Sequence, residues 1–273
     1  FAPNLGGYSD PRTLAELAVL AEEYGWEGFF LFDHILPTEQ GEPLSDPWVT
    51  LGAIAAKTSR IRIGTLVTPL PRRRPWKLAR ETVTLDRLSG GRLTLGVGLG
   101  GPPEREFETF GEAGDLATRG RMLDEGLRVL EGLWSGESFS IEGEFYRVND
   151  AVFQPTPVQS PRIPVWVGAK WRNKAPLRRA ARWDGVVPIP HDGEAVTPDA
   201  LESVVSYVAS HRRATLAFDV ALADHDGDRR KGALQDYADA GLTWWIQRIH
   251  PPWAGSLAEA RDLVRQGPPK GPR

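Results

Sequence analysis

The residues best placed to do chemistry are Asp33 and His34, which follow the apolar run Gly28–Phe32 without a break. A carboxylate and an imidazole at the end of such a run can hold, donate or accept a proton near neutral pH. The alternative is a histidine that satisfies backbone at a strand end. The other histidines, at 191, 211, 225 and 250, form neither His-x-His nor H-E-x-x-H spacing, and the chain has no cysteine. We therefore expect no metal site and no thiol nucleophile. No lysine falls inside an expected strand, and Lys170 comes closest, just beyond one, which argues against Schiff-base chemistry. A site this poor in reactive side chains suits a cofactor that supplies the reactivity while protein orients it.

A place for a cofactor can be read in Leu88–Gly101. Ser89, Gly90 and Gly91 end a helix, Leu93, Leu95 and Val97 form a strand, and Gly96, Gly98, Gly100 and Gly101 leave its exit without side chains. Bare backbone there would let a flat group lie against the strand. Gly96, Gly98 and Gly101 also satisfy G-x-G-x-x-G, but Pro102 and Pro103 follow and the next strong helical pattern begins only near Arg119. The dinucleotide motif needs a helix at once, so that its N-terminus meets a pyrophosphate; a Rossmann site is not expected. An anion site is nominated at Gly168-Ala169-Lys170, where a strand runs into a helix start carrying Arg172 and Lys174. Arg72-Arg73-Arg74 is a second basic cluster, read either as anion-facing or as a solvated lead-in to a helix.

These residues must be positioned by alternating elements. Asp10-Pro11, Asp46-Pro47 and Thr197-Pro198 each set a capping side chain before proline at a first helical position. Helical spacing recurs near residues 11–24, 47–58, 76–89, 119–134, 174–183, 198–213, 232–240 and 256–266. Between them lie the apolar runs Gly28–Phe32, Ile61–Val67, Leu93–Val97, Val165–Gly168, Gly185–Val187, Phe218–Ala223 and Thr243–Ile249. With a partial strand at the N-terminus they make eight β/α units. Such alternation predicts an α/β fold, and eight units in 273 residues favour a (β/α)8 TIM barrel, typically about 250 residues. Residues 1–273 read as one domain, with a small β-containing insertion at about 135–163, before strand 5, and a Gly/Pro-rich tail, 267–273, expected to be disordered. In a barrel the candidates gather at the C-terminal mouth.

Composition narrows the partners. A formal charge of -3 argues against nucleic acid, and no apolar run approaches the roughly 20 residues of a membrane span. The expected setting is cytoplasmic, with a small organic substrate.

Four motifs resemble the bacterial luciferase-like flavin-dependent oxidoreductases, including the branch that uses the deazaflavin F420. They are Phe32-Asp33-His34; Ser59-Arg-Ile-Arg-Ile-Gly-Thr65; Leu78-Ala-Arg-Glu81 with Leu85–Leu93; and Gly96-Val-Gly-Leu-Gly100. Weaker matches continue to about residue 190. The resemblance implies a (β/α)8 barrel, a ring of F420 or FMN over its mouth, a ring-backing bulge at Thr65–Thr68 that includes Leu66 and Val67, and a phosphate near Gly168-Ala169. It implies a non-proline cis peptide at Leu66-Val67, a homodimer through barrel helices, and a catalytic role for His34 beside Asp33. This chain departs from the F420-dependent sugar-phosphate dehydrogenase branch at Gly101, where that branch has glutamate, and at Thr38, where it has tryptophan. Glu104 and Glu106 are the nearby acids.

The reading is thus an oxidoreductase moving a hydride between F420 or FMN and a small organic substrate. An FMN-dependent monooxygenase using molecular oxygen and a non-catalytic flavin-binding barrel are its alternatives; an unrelated TIM-barrel hydrolase is disfavoured by the missing ligand and nucleophile spacings. It requires Asp33-His34, Thr65, Gly98 and Gly168 to share one rim.

Overall fold

The computed structural model describes residues 1–4, 6–37, 40–213, 217–223, 234–250 and 254–269. Thr38, His225 and residues 270–273 of the expected tail lie outside the described residues. The chain opens with α1 (Pro11–Glu23), β1 (Gly28–Leu31), α2 (Pro47–Lys57), β2 (Arg62–Pro69), α3 (Pro75–Ser89) and β3 (Leu93–Gly98). Then come α4 (Pro103–Glu106), α5 (Leu116–Trp134), and the antiparallel pair β4 (Phe139–Glu142) and β5 (Arg147–Ala151). It closes with β6 (Val165–Lys170), α6 (Lys174–Ala180), β7 (Gly185–Ile189), α7 (Pro198–His211), β8 (Asp219–Ala223), α8 (Leu234–Asp239), β9 (Trp244–Ile246) and α9 (Leu257–Arg265).

The three capping sites act as their spacing predicts. Asp10 accepts from Arg12 N at 2.8 Å, Asp46 from Val49 N at 2.9 Å and Thr197 from Ala200 N at 3.3 Å. Gly90 ends α3 with φ 67°, the left-handed conformation that glycine tolerates. The helix expected near Arg119 begins earlier, at Leu116, because Asp115 accepts from Thr118 N and sets the start. The single turn α4 was not expected. Its prolines at 102 and 103 supply the fixed φ of a helix start rather than excluding one.

Seven strands form one parallel sheet in the order β1-β2-β3-β6-β7-β8-β9. The eighth expected strand is only a bridge. Ala2 N donates to Phe30 O at 3.0 Å and Ala2 O accepts from Phe32 N at 3.4 Å, while Ile249 N donates to Phe1 O at 3.2 Å. Pro3 has no N–H to extend the ladder. The last strand is shorter than the run Thr243–Ile249 suggests for the related reason that Ile249 turns its N–H to Phe1.

Both sheet faces are buried, as parallel sheets require. Leu31, Ile63, Leu95 and Val165 pack under the helices, whereas Phe30, Leu66, Trp166, Val187 and Ile246 pack inside the curl. The Trp166 and Trp244 indoles both donate to Asp219, each at 3.1 Å, and tie β6, β8 and β9 together at their N-terminal ends. At the other end, Leu31 pairs with Thr65, Pro69 with Gly98 and Val97 with Val167. Parallel register therefore sets Asp33-His34, the Thr65–Thr68 segment, Gly98 and Gly168 at one rim.

The β2 register shifts between Thr65 and Thr68, and the Leu66-Val67 peptide is cis. The strand glycines make room for this bulge. A Cβ at Gly96 would run into the Thr65 carbonyl, and one at Gly98 would sit 2.6 Å from Val67 Cγ2. Their missing side chains are thus used by β2. Gly101 differs, with nothing within 4 Å of an added Cβ. Gly96→Ala should lower stability in urea by roughly 2–3 kcal/mol, because it overpacks against backbone. Gly101→Ala should change stability by less than about 0.5 kcal/mol.

Candidate active site

Asp33 is buried just past β1, and its carboxylate takes hydrogen bonds from three parts of the chain. Thr68 Oγ1 donates at 2.7 Å from the bulge, Trp48 Nε1 at 3.1 Å from α2, and Arg72 and Arg73 at 3.0 and 2.9 Å from the turn after β2. Arg72, with its side chain only 3% exposed, also reaches Glu106 of α4. Glu106 in turn accepts from the Ile35 and Leu36 N–H groups, each at 3.2 Å, and lies 3.4 Å from His34 Nδ1. The result is a line of alternating charge, Arg73–Asp33–Arg72–Glu106, that ends on an imidazole one-third exposed. Desolvated charges survive only when paired in this way.

Burial alone would push the Glu106 carboxyl up. The hydrogen bond from His34, the Arg72 charge and the Ile35 N–H outweigh it, and hold Glu106 below the usual carboxylate range. Arg119, 1% exposed, steadies the approach to α4 by donating to the Leu99 and Gly100 carbonyls at 3.0 Å, with its guanidinium 4.6 Å over the Phe107 ring.

Most of the residues nominated from sequence form one contact chain. Thr65 Oγ1 lies 2.9 Å from Thr68 Oγ1 and donates to Gly96 O at 3.2 Å, so Gly96, Thr65, Thr68 and Asp33 are joined by hydrogen bonds. Val67 spans the gap between Gly98 and Gly168, and stands 3.4 Å from an ideal Cβ on the latter. Leu66 is buried inside the curl, whereas Val67 and Gly168 are half-buried at the rim. Ala169 turns into the helix-facing core, which leaves only its backbone for a ligand. Lys170 is the last residue of β6 instead of lying beyond it, and is exposed, 3.4 Å from Asp192.

The two basic clusters divide differently than their composition suggests. Arg72 and Arg73 turn inward to buried carboxylates, so most of that cluster is structural. Arg172 pairs with Glu194, and Lys174 sits 4.2 Å over the Tyr207 ring. Sequence reasoning missed Thr68 as a partner of Asp33, Trp48 altogether, and the choice of Glu106 over Glu104. No local signal marks any of these, since each depends on chain segments meeting from far apart.

The rim offers an apolar surface beside an aromatic pair. Val67, Gly168 and the exposed Ile189 give an apolar surface, and Phe32 and His34 stand at the end of the adjoining β1, their rings 5.7 Å apart. Beside Gly168-Ala169, the Trp171 indole N–H is buried without a partner among the described residues, a donor available to an anion such as a cofactor phosphate.

A sequence profile described as luciferase-like monooxygenase matches residues 1–266. The F420-dependent glucose-6-phosphate dehydrogenase of Nakamurella multipartita is 35% identical over 182 residues, 63% of this chain and 50% of that protein. The chain therefore spans about half the length of that relative. Among solved structures, an F420-dependent secondary alcohol dehydrogenase in complex with an F420-acetone adduct superposes with TM-score 0.78 at 18% identity, covering 98% of this chain and 97% of its own. The monooxygenase RslO1 from Streptomyces bottropensis superposes at 0.75 with 22% identity, covering 93% and 90%. At these identities the likeness is one of fold.

Removing the Asp33 charge leaves two inward guanidiniums each short of one counter-ion, with only Glu106 beside Arg72 and Glu81 beside Arg73. Asp33→Ala should destabilise by roughly 3–5 kcal/mol in chemical denaturation. The Glu106 carboxyl, held below its unfolded value, stabilises fully above about pH 4.5 and loses that contribution as pH falls through its folded pKa. Glu106→Gln should therefore flatten the drop of the urea midpoint below that pH.

Proposed function

The chain belongs to the luciferase-like monooxygenase family, and on that premise we propose that it is an oxidoreductase which binds F420 or FMN at its C-terminal rim and transfers a hydride between that cofactor and a small organic substrate. The single observation that carries this reading is the His34–Glu106 contact. With Nδ1 3.4 Å from a buried, ionised carboxylate, the proton is favoured on Nδ1, which makes Nε2 the basic nitrogen that serves substrate. His34 is the catalytic residue in this reading and Glu106 its positioning residue.

Bound at the rim, the deazaflavin or flavin supplies the acceptor and donor of hydride. The protein does the rest. Val67 and Gly168 form the apolar bed for the ring, with Thr65 and Leu66 fixing the bulge and Gly96 and Gly98 giving it room. The backbone of Gly168-Ala169, the Trp171 indole and, at longer range, Lys170 receive the phosphate. When an alcohol is oxidised, His34 Nε2 takes the hydroxyl proton as the carbon loses hydride, and the Glu106 carboxylate stabilises the imidazolium. In the reverse direction the same nitrogen returns the proton.

The remaining parts rest on the same membership. The seven strands and the Phe1–Ala2 bridge make up a closed (β/α)8 barrel, with β4–β5 as an insertion before its fifth strand. Apolar side chains exposed on α2 and α3, Val49, Trp76 and Leu88, support a homodimer through those helices. A cytoplasmic setting is part of the same proposal; no helix among the described residues is long and apolar enough to cross a membrane. Gly101 leaves the position of the sugar-phosphate branch's acid empty, and Glu106 arrives from α4 instead, so a sugar phosphate is not the substrate proposed.

Titration with F420 and with FMN, followed by absorbance, should give a saturable spectral change with one of them; none with either overturns the reading. If FMN binds and its reduced form consumes oxygen while oxygenating substrate, the monooxygenase alternative replaces hydride transfer to substrate. His34→Ala should keep cofactor affinity within about threefold while lowering turnover roughly 100-fold or more. Binding without turnover in the unaltered protein would leave the non-catalytic alternative. Glu106→Gln should move the acid limb of the pH–rate profile to lower pH, an effect that a purely structural role would not produce.

A further inference from the structure

Outside the rim there is a separate pocket of about 240 Å³ between the turn after β2, the start of α5 and the β4–β5 turn. Its walls include Arg73, Arg74, Tyr146, Glu112, Phe107 and Met122. Two buried polar atoms here are unmatched, and an exposed cation stands beside them. The Tyr146 hydroxyl is buried with no hydrogen-bond partner, on a residue only 3% exposed. Arg73 Nε is likewise buried and unpartnered, although the rest of that guanidinium is held by Asp33 and Glu81. Arg74 caps the start of α3 by position, but its side chain makes no capping bond and no ion pair among the described residues.

Tyr146 is not there by slack packing. Its N–H donates to Glu125 Oε1 at 2.6 Å, its carbonyl accepts from Gly143 N at 3.0 Å, and its ring meets Trp76 edge-on at 6.2 Å. Burial first, and then the Glu125 charge, push the phenol up to about 12, so it is a neutral donor at any working pH. Buried polar groups in folded proteins nearly always have a partner, and the two buried orphans, Tyr146 Oη and Arg73 Nε, mark the place for one. All three are able to donate. The Tyr146 hydroxyl and Arg73 Nε lack an acceptor, and with Arg74 two of the three groups belong to cations, which favours an oxyanion. Phe107 and Met122 add an apolar wall beyond the donors. Glu112, the one acid on the wall, lies near Arg72 and Arg74, and burial raises its pKa, which weakens its opposition to an anion.

We propose that this pocket binds a small organic carboxylate, with Arg74, Arg73 Nε and the Tyr146 hydroxyl holding the carboxylate and Phe107 and Met122 covering its apolar body. The site is distinct from the rim surface, because none of His34, Val67, Gly168 and Ile189 lines it and Arg72 is turned toward Asp33 and Glu106. It does not depend on the identity of the cofactor or on turnover.

Benzoate is a probe of the right size and charge, and calorimetric titration of the full chain tests the site. We expect one saturable site, weakened at least tenfold by Arg74→Gln and by Tyr146→Phe, tightened by Glu112→Gln and unchanged by His34→Ala. Benzamide, of the same shape without the charge, should bind at least tenfold more weakly. Arg74 is exposed, so its variant keeps the fold even if the Tyr146 variant does not; circular dichroism checks both. No saturable benzoate binding to the unaltered protein overturns the proposal. So does affinity unchanged in Arg74→Gln, equal affinity for benzamide, or loss of binding in His34→Ala, which would place benzoate at the rim.

Discussion

The arrangement at the rim depends on keeping one carboxylate, that of Asp33, charged and out of water. A carboxylate in that position has to be met by donors on several sides, because a desolvated charge without partners is costly. The donors come from parts of the chain that have no other reason to meet: a threonine on the bulge, an indole on α2 and two guanidiniums on the turn after β2. Thr68 reaches Asp33 only because β2 shifts register after Thr65, and that shift has room only because residues 96 and 98 lack side chains. The glycines, the bulge and the buried acid are therefore parts of one constraint.

Much of the scaffold was legible because it is written in local physics. Side-chain caps before proline mark helix starts, Gly90 marks a stop, and apolar periodicity separates strands from helices. The rim position of Asp33-His34 follows from that alternation alone. The misread features share a different character. Arg72-Arg73-Arg74 advertises charge but not direction, and two of its three side chains face inward. The glycines advertise absent side chains but not what fills the space, which is the neighbouring strand. Glu106 lies in an unremarkable acidic stretch and becomes informative only once α4 brings it against His34, 72 positions earlier in sequence. The short first strand is similar, since its pairing with β1 and with Ile249 is a closure across the whole chain.

The line of charge also explains how a rim with few reactive groups can be specific about protons. Arg72 helps keep Glu106 buried and ionised, and in the proposed reading the 3.4 Å contact with Glu106 commits one nitrogen of the His34 ring inside. The apolar surface of Val67, Gly168 and Ile189 adds no competing base on the side where the proposed reading puts a flat cofactor. Backbone and packing supply the seat, and the charge pattern supplies the orientation of the single imidazole.

The most direct test of this account is the tautomer of His34 itself. Nitrogen-15 NMR of the histidine side chains, with His34 assigned by its loss in His34→Gln, reports which ring nitrogen carries the proton above the pH where the ring titrates. The account predicts a proton on Nδ1 and a bare Nε2, reverting in Glu106→Gln to the mixture of free histidine. A proton on Nε2 in the unaltered protein, or a spectrum that Glu106→Gln leaves unchanged, would contradict it.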